Sequence, residues 1–414
     1  MLSVDTRFLT QENREPIQLE SSATLEFTYQ WKSAHAFHTD CYFVKEVNFS
    51  LDPFPGVISS AFIGTTAEAL LFFPDALNEV VAPYDPGAEM RIDRSQVDMQ
   101  NLSISGAGPH FGRFYPKEII RGHGNISGDG FTCFRCTGVE GERFLADFNH
   151  PLSGEEINLS VFVHDVRRHP ETEVHSRDWL AVTTDGTGMQ ARWHGLPADF
   201  LSGRPFSRAN EAEDRLFYAE SMLTTYVDKR AESIIGGIYG NFLRDGMKVL
   251  DMMSSWQSHI PGHIRLDSLT GLGMNVEEMS LNLQLTDQIV HNLNREPNLP
   301  FGSGEFDAVV CTISAEYLIR PFEVFEDVAR VLRPGGYFLV TFSNRWFPAK
   351  AIRIWTELME FERVGLVLEY FLGAGKFRNL ETYSMRGLPR PESDKYYPWL
   401  PFSDPVYAVW GQKM

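Results

Sequence analysis

The segment from residue 299 to residue 340 constrains the fold of this 414-residue chain more than any other. An apolar run at residues 306–310 predicts a buried strand, and apolar residues at helical spacing follow over residues 322–332. A Pro-Gly-Gly turn at residues 334–336 then precedes a second apolar run. Strand, helix and strand in this order form a right-handed βαβ unit, so we predict a doubly wound α/β sheet here.

This segment resembles the second half of class I methyltransferases that use S-adenosylmethionine. Those proteins repeat the patterns L-P-F-x-x-x-x-F-D-x-V and L-x-P-G-G, and this chain reads LPFGSGEFDAV at residues 299–309 and LRPGG at residues 332–336. A further resemblance, to a distinct methyltransferase-like subfamily, covers about residues 183–412, where the chain reads VLDMMSSWQSHIP at residues 249–261 and GLGMN at residues 271–275. The class I resemblance implies a Rossmann-like domain at residues 209–414 with a seven-stranded sheet, and S-adenosylmethionine as the cofactor.

The loop that would hold the cofactor has an altered sequence. Class I members read V-L-D-x-G-x-G-x-G after the first strand, and this chain reads VLDMMSSWQ at residues 249–257. Met253, Ser255 and Gln257 therefore stand at the three glycine positions. The resemblance assigns the cofactor contacts of this remodelled loop to Asp251, Ser254, Ser255 and Trp256.

Each of these loop residues also has a structural interpretation. An acid such as Asp251 at a strand end can bond the backbone amides of the adjoining loop. Ser254 and Ser255 can cap a following helix, and a large aromatic residue such as Trp256 can belong to the core. The residues alone leave both interpretations open.

The remaining cofactor positions depart from the family pattern too. Gly273 stands where class I methyltransferases carry the acid that binds both ribose hydroxyls, and Asn292 stands where an Asp often contacts the adenine amine. A hydrogen bond to a charged group contributes roughly 1.5–3 kcal/mol, so loss of the ribose acid should weaken binding about tenfold to a hundredfold. The resemblance assigns the other cofactor contacts to Gly271, Gly273, Met274, Asn292 and Ile313.

The loop at residues 312–318 follows the fourth strand and should face the methyl acceptor. Methyl transfer from a sulfonium needs in-line positioning, and needs a base only if the nucleophile carries a proton. Glu316 is the candidate base and Tyr317 the candidate wall, although Glu316 also fits a capping or solvated acid. Arg345 suits either an anionic substrate or a surface ion pair.

Residues 23–167 show strand patterns interrupted by Gly and Pro. Residues 24–29 and 157–163 alternate with period two, and DFNHPLSG at residues 147–154 is a polar turn. This turn resembles the D-x-N-H-P-L-A-G-K turn of SlyD-type prolyl isomerases, which are FKBP-like proteins with an inserted flap. The resemblance implies a mainly β (α+β) FKBP-like domain that binds a proline-containing polypeptide, with Tyr29 and Tyr84 in its isomerase pocket. We interpret His150 as a structural cap of the turn.

These patterns predict an N-terminal tail (1–22), an FKBP-like domain (23–167), a linker (168–208) and a methyltransferase-like domain (209–414). The net charge of −18 disfavours a nucleic-acid partner. The first residues lack the pattern of a secretory signal and the apolar runs are short, so we expect a cytoplasmic protein without a membrane partner. Four cysteines in a chain this long predict no disulfide framework, and the scattered histidines predict no metal site.

Two functions are compatible with this sequence. The leading hypothesis is an S-adenosylmethionine-dependent methyltransferase of a small molecule or protein, fused to an FKBP-like domain. The alternative is a chaperone-like binding or scaffold protein whose methyltransferase-like domain has lost cofactor binding. The altered glycine loop favours the alternative, whereas the coherent wording of the C-terminal half favours a retained ligand site.

Overall fold

The structure is a computed structural model that describes residues 15–98, 108–121, 132–168 and 176–414. The described chain divides into two compact units. The first contains the residues up to Gly203 together with Glu357–Leu366, and the second contains Arg204–Thr356 and Val367–Met414. Part of the predicted linker, residues 176–203, therefore belongs to the first unit.

The eight strands of the first unit form two antiparallel groups of four. Its strands are β1 (Ser21–Lys32), β2 (Phe37–Asn48), β3 (Leu70–Phe73), β4 (Glu89–Asp93), β5 (Phe114–Pro116), β6 (Cys133–Glu140), β7 (Arg143–Asp147) and β8 (Ile157–Arg168), and its helices are α1 (Gly56–Phe62), α2 (Leu77–Val80) and α3 (Trp179–Thr184). The strands pair in the orders β2-β1-β8-β3 and β4-β7-β6-β5. The period-two segments predicted as strands lie within β1 and β8.

The core of the first unit follows from the alternation along β1. Leu25, Phe27, Tyr29 and Trp31 are buried, and polar or half-buried residues stand between them. The turn after β7 is held by His150, whose Nδ1 accepts from Leu152 N and whose Nε2 lies 3.2 Å from the carbonyl oxygen of Thr184. Burial lowers the pKa of His150 to about 4, so the ring is neutral at physiological pH and acts as a cap.

Seven strands form the sheet of the second unit. They are β9 (Lys248–Met252), β10 (Ser268–Gly273), β11 (Asp287–Val290), β12 (Phe306–Thr312), β13 (Leu332–Phe342), β14 (Phe377–Arg386) and β15 (Val406–Lys413). The helices are α4 (Asp214–Phe217), α5 (Lys229–Phe242), α6 (Val276–Leu281), α7 (Pro321–Val331), α8 (Arg353–Glu357) and α9 (Glu360–Ala374), of which α8 and α9 extend into residues grouped with the first unit. The strand order is β11-β10-β9-β12-β13-β15-β14. The first five strands are parallel, and β15 is antiparallel to both of its neighbours.

The βαβ unit predicted from residues 299–340 is β12, α7 and β13. Pro321 occupies the start of α7, where its fixed φ suits a helix and its missing N–H costs nothing. Gly336 lies inside β13, and a Cβ atom there would be 2.7 Å from the carbonyl oxygen of Asp307. The second glycine of the Pro-Gly-Gly sequence is therefore required by the close approach of two strands.

Two helices expected from the pattern are shorter or missing. Apolar spacing over residues 211–242 predicts one helix, but only α4 and α5 form, and residues 218–228 are irregular. Asp228 caps α5 by accepting from Arg230 N and Ala231 N, and Met222 N donates to the carboxylate of Glu278 instead of to a helical carbonyl. Residues 253–267, between β9 and β10, contain no helix either.

Candidate functional site

A cavity of about 290 Å³ opens at the carboxyl ends of the parallel strands in the second unit. The loops that follow β9, β10, β11, β12 and β13 all contribute to its lining. From β9 the chain proceeds to β10 on one side, and β12 lies on the other side, so the cavity is at the topological switch point of the sheet. Doubly wound sheets bind nucleotides at this position.

The loop after β9 is anchored by Asp251, which is buried and does not line the cavity. Its Oδ2 accepts hydrogen bonds of 2.6 Å from the hydroxyls of both Ser254 and Ser258. Burial raises the pKa of Asp251 to about 6, although the two hydroxyl donors oppose this shift. Asp251 therefore holds the loop in place, but through serine hydroxyls rather than through the backbone amides that its structural interpretation expected.

Of the other loop residues assigned to the cofactor, Ser254 and Ser255 line the cavity and Trp256 does not. Neither serine caps a helix, because no helix follows β9. Ser255 instead donates from Oγ to Oε2 of Glu278 over 2.5 Å. At this loop, the cavity is therefore lined by the hydroxyl-bearing residues Ser254 and Ser255, whereas the glycine loop of class I methyltransferases exposes only backbone.

Two cavity residues have left-handed backbone conformations that L-residues rarely adopt. Met253 has φ +62° at the first glycine position of the loop, and Ile313 has φ +46° directly after β12. This conformation is unfavourable by roughly 1–2 kcal/mol for a residue with a Cβ atom, and more so for a β-branched one. Such strain is concentrated at functional sites and persists only where the surrounding structure enforces it.

The end of β10 has no space for a side chain. A Cβ atom at Gly273 would lie 2.3 Å from the carbonyl oxygen of Ser254 and 2.9 Å from the sulfur of Met279. At Gly271 it would lie 2.6 Å from a methyl carbon of Leu285. Gly273 and the adjoining Met274 line the cavity, whereas Gly271 does not. An acid that binds ribose cannot stand at position 273 in this loop conformation.

Asn292, after β11, lines the cavity with its side-chain oxygen already engaged. That oxygen accepts from Asn294 N at 3.0 Å and from Arg295 N at 3.2 Å. An adenine amine needs an acceptor, and the amide nitrogen of Asn292 is a donor. Asn292 therefore does not offer a free acceptor to the adenine amine. Its side-chain nitrogen could instead donate a hydrogen bond to a ring nitrogen of adenine.

The two candidate catalytic residues lie in the turn after β12, and only one of them lines the cavity. Tyr317 lines it, and its hydroxyl oxygen accepts from Phe347 N at 2.9 Å. Burial raises the pKa of Tyr317 well above its usual value, so its hydroxyl stays protonated and its side chain serves as part of the cavity wall. Glu316 is buried outside the lining, where its carboxylate does not reach the cavity surface.

Several lining residues were not predicted as site residues. They come from the irregular segment 218–228, from α6, from the loop after β13 and from residues 395–396: Tyr218, Met222, Tyr226, Glu278, Phe347, Lys395 and Tyr396. Burial and the charge of Glu278 raise the pKa of Tyr226 to about 12. Two sequence signals could have found part of this set. The run Thr224-Thr225-Tyr226 is poorly suited to a helix interior, and Asn275 followed by Glu278 has the spacing of a helix N-terminus beside the sheet edge.

An ion cluster at the wall of the cavity fixes α4. Asp214 lines the cavity and binds Arg208 Nη1 at 2.6 Å, Lys350 Nζ at 3.0 Å and Asn294 Nδ2 at 2.9 Å. Burial alone would raise the pKa of Asp214, but the donors from Asn294, Lys350 and Arg208 hold it below the usual value. Asp214 is therefore an ion-paired carboxylate whose basicity is weakened.

Arg345, which the sequence left open between two roles, lines the cavity and also forms an ion pair. Its Nε donates to Oδ1 of Asp404 over 2.9 Å, and its guanidinium carbon lies 5.1 Å from the ring centre of Tyr396. The ion pair uses only one edge of the guanidinium. Arg345 thus places a partly neutralised cation at the cavity.

In the first unit, the two residues assigned to an isomerase pocket have different environments. Tyr29 is fully buried, and its hydroxyl lies 2.5 Å from the hydroxyl of Thr183. Tyr84 is 40% exposed. A buried Tyr29 does not present its ring to a peptide in this conformation.

Comparison with known proteins points to methyltransferases. Residues 271–340 match a protein-family model described as a methyltransferase domain. A 45-residue stretch, 11% of this chain, is 53% identical to the fatty-acid O-methyltransferase of Mycolicibacterium smegmatis and spans 16% of that protein. The match therefore leaves most of that relative's length uncovered.

Solved structures of low identity were also found. A SAM-dependent methyltransferase from Aquifex aeolicus shares 16% identity at a TM-score of 0.30, over 46% of this chain and 91% of that one. The YcgJ protein of Bacillus subtilis shares 14% identity at a TM-score of 0.31, over 44% of this chain and 98% of that one. Among the helices of the described residues, none is long and apolar enough to span a bilayer.

Proposed function

We propose that this protein is an S-adenosylmethionine-dependent methyltransferase. One observation carries the proposal. The segment that matches a methyltransferase domain, residues 271–340, supplies the loops after β10, β11 and β12, and these loops line a cavity at the switch point of the sheet. The position is the one at which this class of sheet binds nucleotides.

The cavity residues suit a sulfonium cofactor. Tyr226, Tyr317 and Phe347 form an aromatic cluster, in which the ring of Phe347 lies 5.3 Å from that of Tyr226 and 6.0 Å from that of Tyr317. Aromatic faces attract cations, so these rings would favour a positively charged sulfur. When bound, S-adenosylmethionine supplies an electrophilic methyl group. Ser254, Ser255, Met274, Asn292 and Ile313 would hold its adenosine and methionyl parts.

A carboxylate is the acceptor class that this cavity suits best. Among the lining residues, all within the described range 176–414, the acids are Asp214, which is neutralised by two cations, and Glu278, which accepts two hydrogen bonds. A carboxylate nucleophile carries no proton at neutral pH and needs no base. Arg345 offers it a guanidinium edge. The name of the M. smegmatis relative, a fatty-acid O-methyltransferase, agrees with this acceptor class.

Calorimetric titration of S-adenosylmethionine and S-adenosylhomocysteine into the full chain tests the proposal. Ser314→Trp fills the cavity, and Ser280→Trp on the exposed surface of α6 is the matched control. Micromolar binding by wild type and by the control, lost in Ser314→Trp, would support the proposal. No heat at millimolar ligand, with the protein folded by circular dichroism, would exclude it and favour the binding-module alternative.

Prolyl isomerase activity of the first unit remains a separate prediction that rests on the turn at residues 147–154. Tyr84 is the exposed member of the expected pocket. A proline-limited refolding assay with the full chain would measure it. Catalysis that Tyr84→Ala removes would support an FKBP-like activity, and no acceleration by wild type would contradict it.

A further inference from the structure

Glu278 is an unusual carboxylate in the cavity because no cation neutralises it. Its Oε1 accepts from Met222 N at 2.7 Å, and its Oε2 accepts from Ser255 Oγ at 2.5 Å. The side chain is 8% exposed, and no Lys, Arg or His of the described chain forms an ion pair with it. Each carboxylate oxygen has two acceptor sites, so each retains one for a further donor.

The position of Glu278 is fixed close to the end of β10. The helix α6 begins three residues after Gly273, and Asn275 caps it by accepting from Glu277 N and Glu278 N through Oδ1. Gly273 and Glu278 line the same cavity. The strand end itself is closed to any side chain, because a Cβ atom at Gly273 would overlap the carbonyl oxygen of Ser254.

A buried carboxylate that has no cation partner favours a ligand that donates hydrogen bonds to it. Such a group is costly to desolvate unless hydrogen-bond donors compensate it, and hydroxyl groups bound to a carboxylate form strong charge-assisted bonds. A vicinal diol presents two hydroxyl donors side by side, which matches the two acceptor sites that remain. A carboxylate placed directly against Glu278 would be repelled, and Asp214 is already saturated by its cations.

We infer that Glu278 binds the ribose diol of the cofactor and replaces the acid that position 273 cannot carry. This inference rests on the proposed function, because it requires an adenosyl ligand in the cavity. It moves the ribose contact from the end of β10 to the first turn of α6. The side chain is then held ready by Met222 and by Ser255, one of the residues that replaced the glycines.

The test measures binding rather than turnover. S-adenosylhomocysteine and its 2′,3′-dideoxy analogue are titrated into wild type, Glu278→Gln and Glu277→Gln. Glu277 is the adjacent acid on the same helical turn and receives only a 3.2 Å contact from Ser221 Oγ, which makes its variant the matched control. Thermal midpoints of all three proteins are recorded, so that a loss of folding is not read as a loss of affinity.

We expect wild type and Glu277→Gln to bind S-adenosylhomocysteine about tenfold to a hundredfold more tightly than the dideoxy analogue. Glu278→Gln should bind the two ligands with similar, weak affinity, because the charge that distinguishes them is gone. Equal weakening of both ligands in Glu278→Gln, or no weakening, would overturn the inference. If wild type binds neither ligand, the proposed function itself fails, which is a distinct result.

Discussion

Asp251 is a single buried residue that makes the stability of the protein depend on pH. Its carboxylate accepts from two serine hydroxyls, yet burial raises its pKa from 3.8 to about 6. The folded protein therefore holds this proton more tightly than the unfolded chain does. The stabilisation is complete below pH 3.8 and is lost as the pH rises through 6.

Asp251→Asn should remove this dependence, since an amide cannot ionise and its oxygen can still accept from the serines. A shift of about two pKa units corresponds to about 3 kcal/mol. As the pH rises from 4 to 7, we expect wild type to lose up to this amount of its free energy of unfolding relative to the variant. Urea unfolding of both proteins across this range measures it, and parallel pH profiles would contradict the prediction.

A second residue-scale prediction concerns the close contact at the end of β10. Gly273→Ala places a methyl group 2.3 Å from the carbonyl oxygen of Ser254, so the loop must move, and we expect a loss of about 1–3 kcal/mol or more. Gly262→Ala is the control, because nothing lies within 4 Å of a Cβ atom there. Thermal unfolding of both variants measures the difference, and equal midpoints would show that the loop after β9 yields freely.

At the scale of elements, the sequence predicts what local patterns determine. The strands β12 and β13 and the helix α7 follow from apolar periodicity and a Pro-Gly-Gly sequence. Residues 218–228 could not be predicted, because their conformation depends on distant partners. Asn275 Nδ2 donates to the Tyr218 carbonyl, and Met222 N donates to Glu278, across more than fifty residues of sequence.

The same reason explains why most of the site was missed. Motif positions locate Ser254, Met274 and Asn292 on the loops of the sheet, and these residues do line the cavity. Tyr226 and Tyr396 come from segments that carry no motif and reach the cavity only through tertiary packing. From the sequence, Gly273 indicates only that the acid that binds ribose is absent. The physical reason for a glycine at this position, the close contact with Ser254, is visible only in the three-dimensional structure.

The ion cluster at α4 gives an element-scale prediction. Lys350 is fully buried, and its Nζ binds Asp214 at 3.0 Å and the carbonyl oxygen of Ala212 at 2.6 Å. Lys350→Met leaves these acceptors poorly satisfied, so we expect a loss of about 3–5 kcal/mol in the free energy of unfolding. Lys248→Met is the control, because Lys248 is 45% exposed and lies 3.8 Å from Asp267. A similar small effect of both substitutions on urea midpoints would contradict this role.

At the scale of the whole molecule, the two compact units are not separated by a single cut in the chain. The segment Glu357–Leu366 groups with the first unit, although it follows β13 in sequence. Glu362 is buried and accepts from Phe114 N at 2.9 Å, and Glu357 lies 3.7 Å from Arg113. The apolar pattern of α9 is continuous, so no local signal marks where its residues change from one unit to the other.

The first unit should therefore depend on this distant segment for its stability. Glu362→Ala removes the acceptor of Phe114 N and a charge close to Arg113, and we expect the first unit to lose about 3–5 kcal/mol. Hydrogen exchange at the amides of β5 and β6 in the full chain measures the loss, with the exposed Glu326→Ala on α7 as the control. A fragment that ends at Gly203 lacks the segment altogether and should exchange these amides faster still. Full protection of β5 and β6 in that fragment would show that residues 357–366 are dispensable, and would make the first unit an independently folding domain.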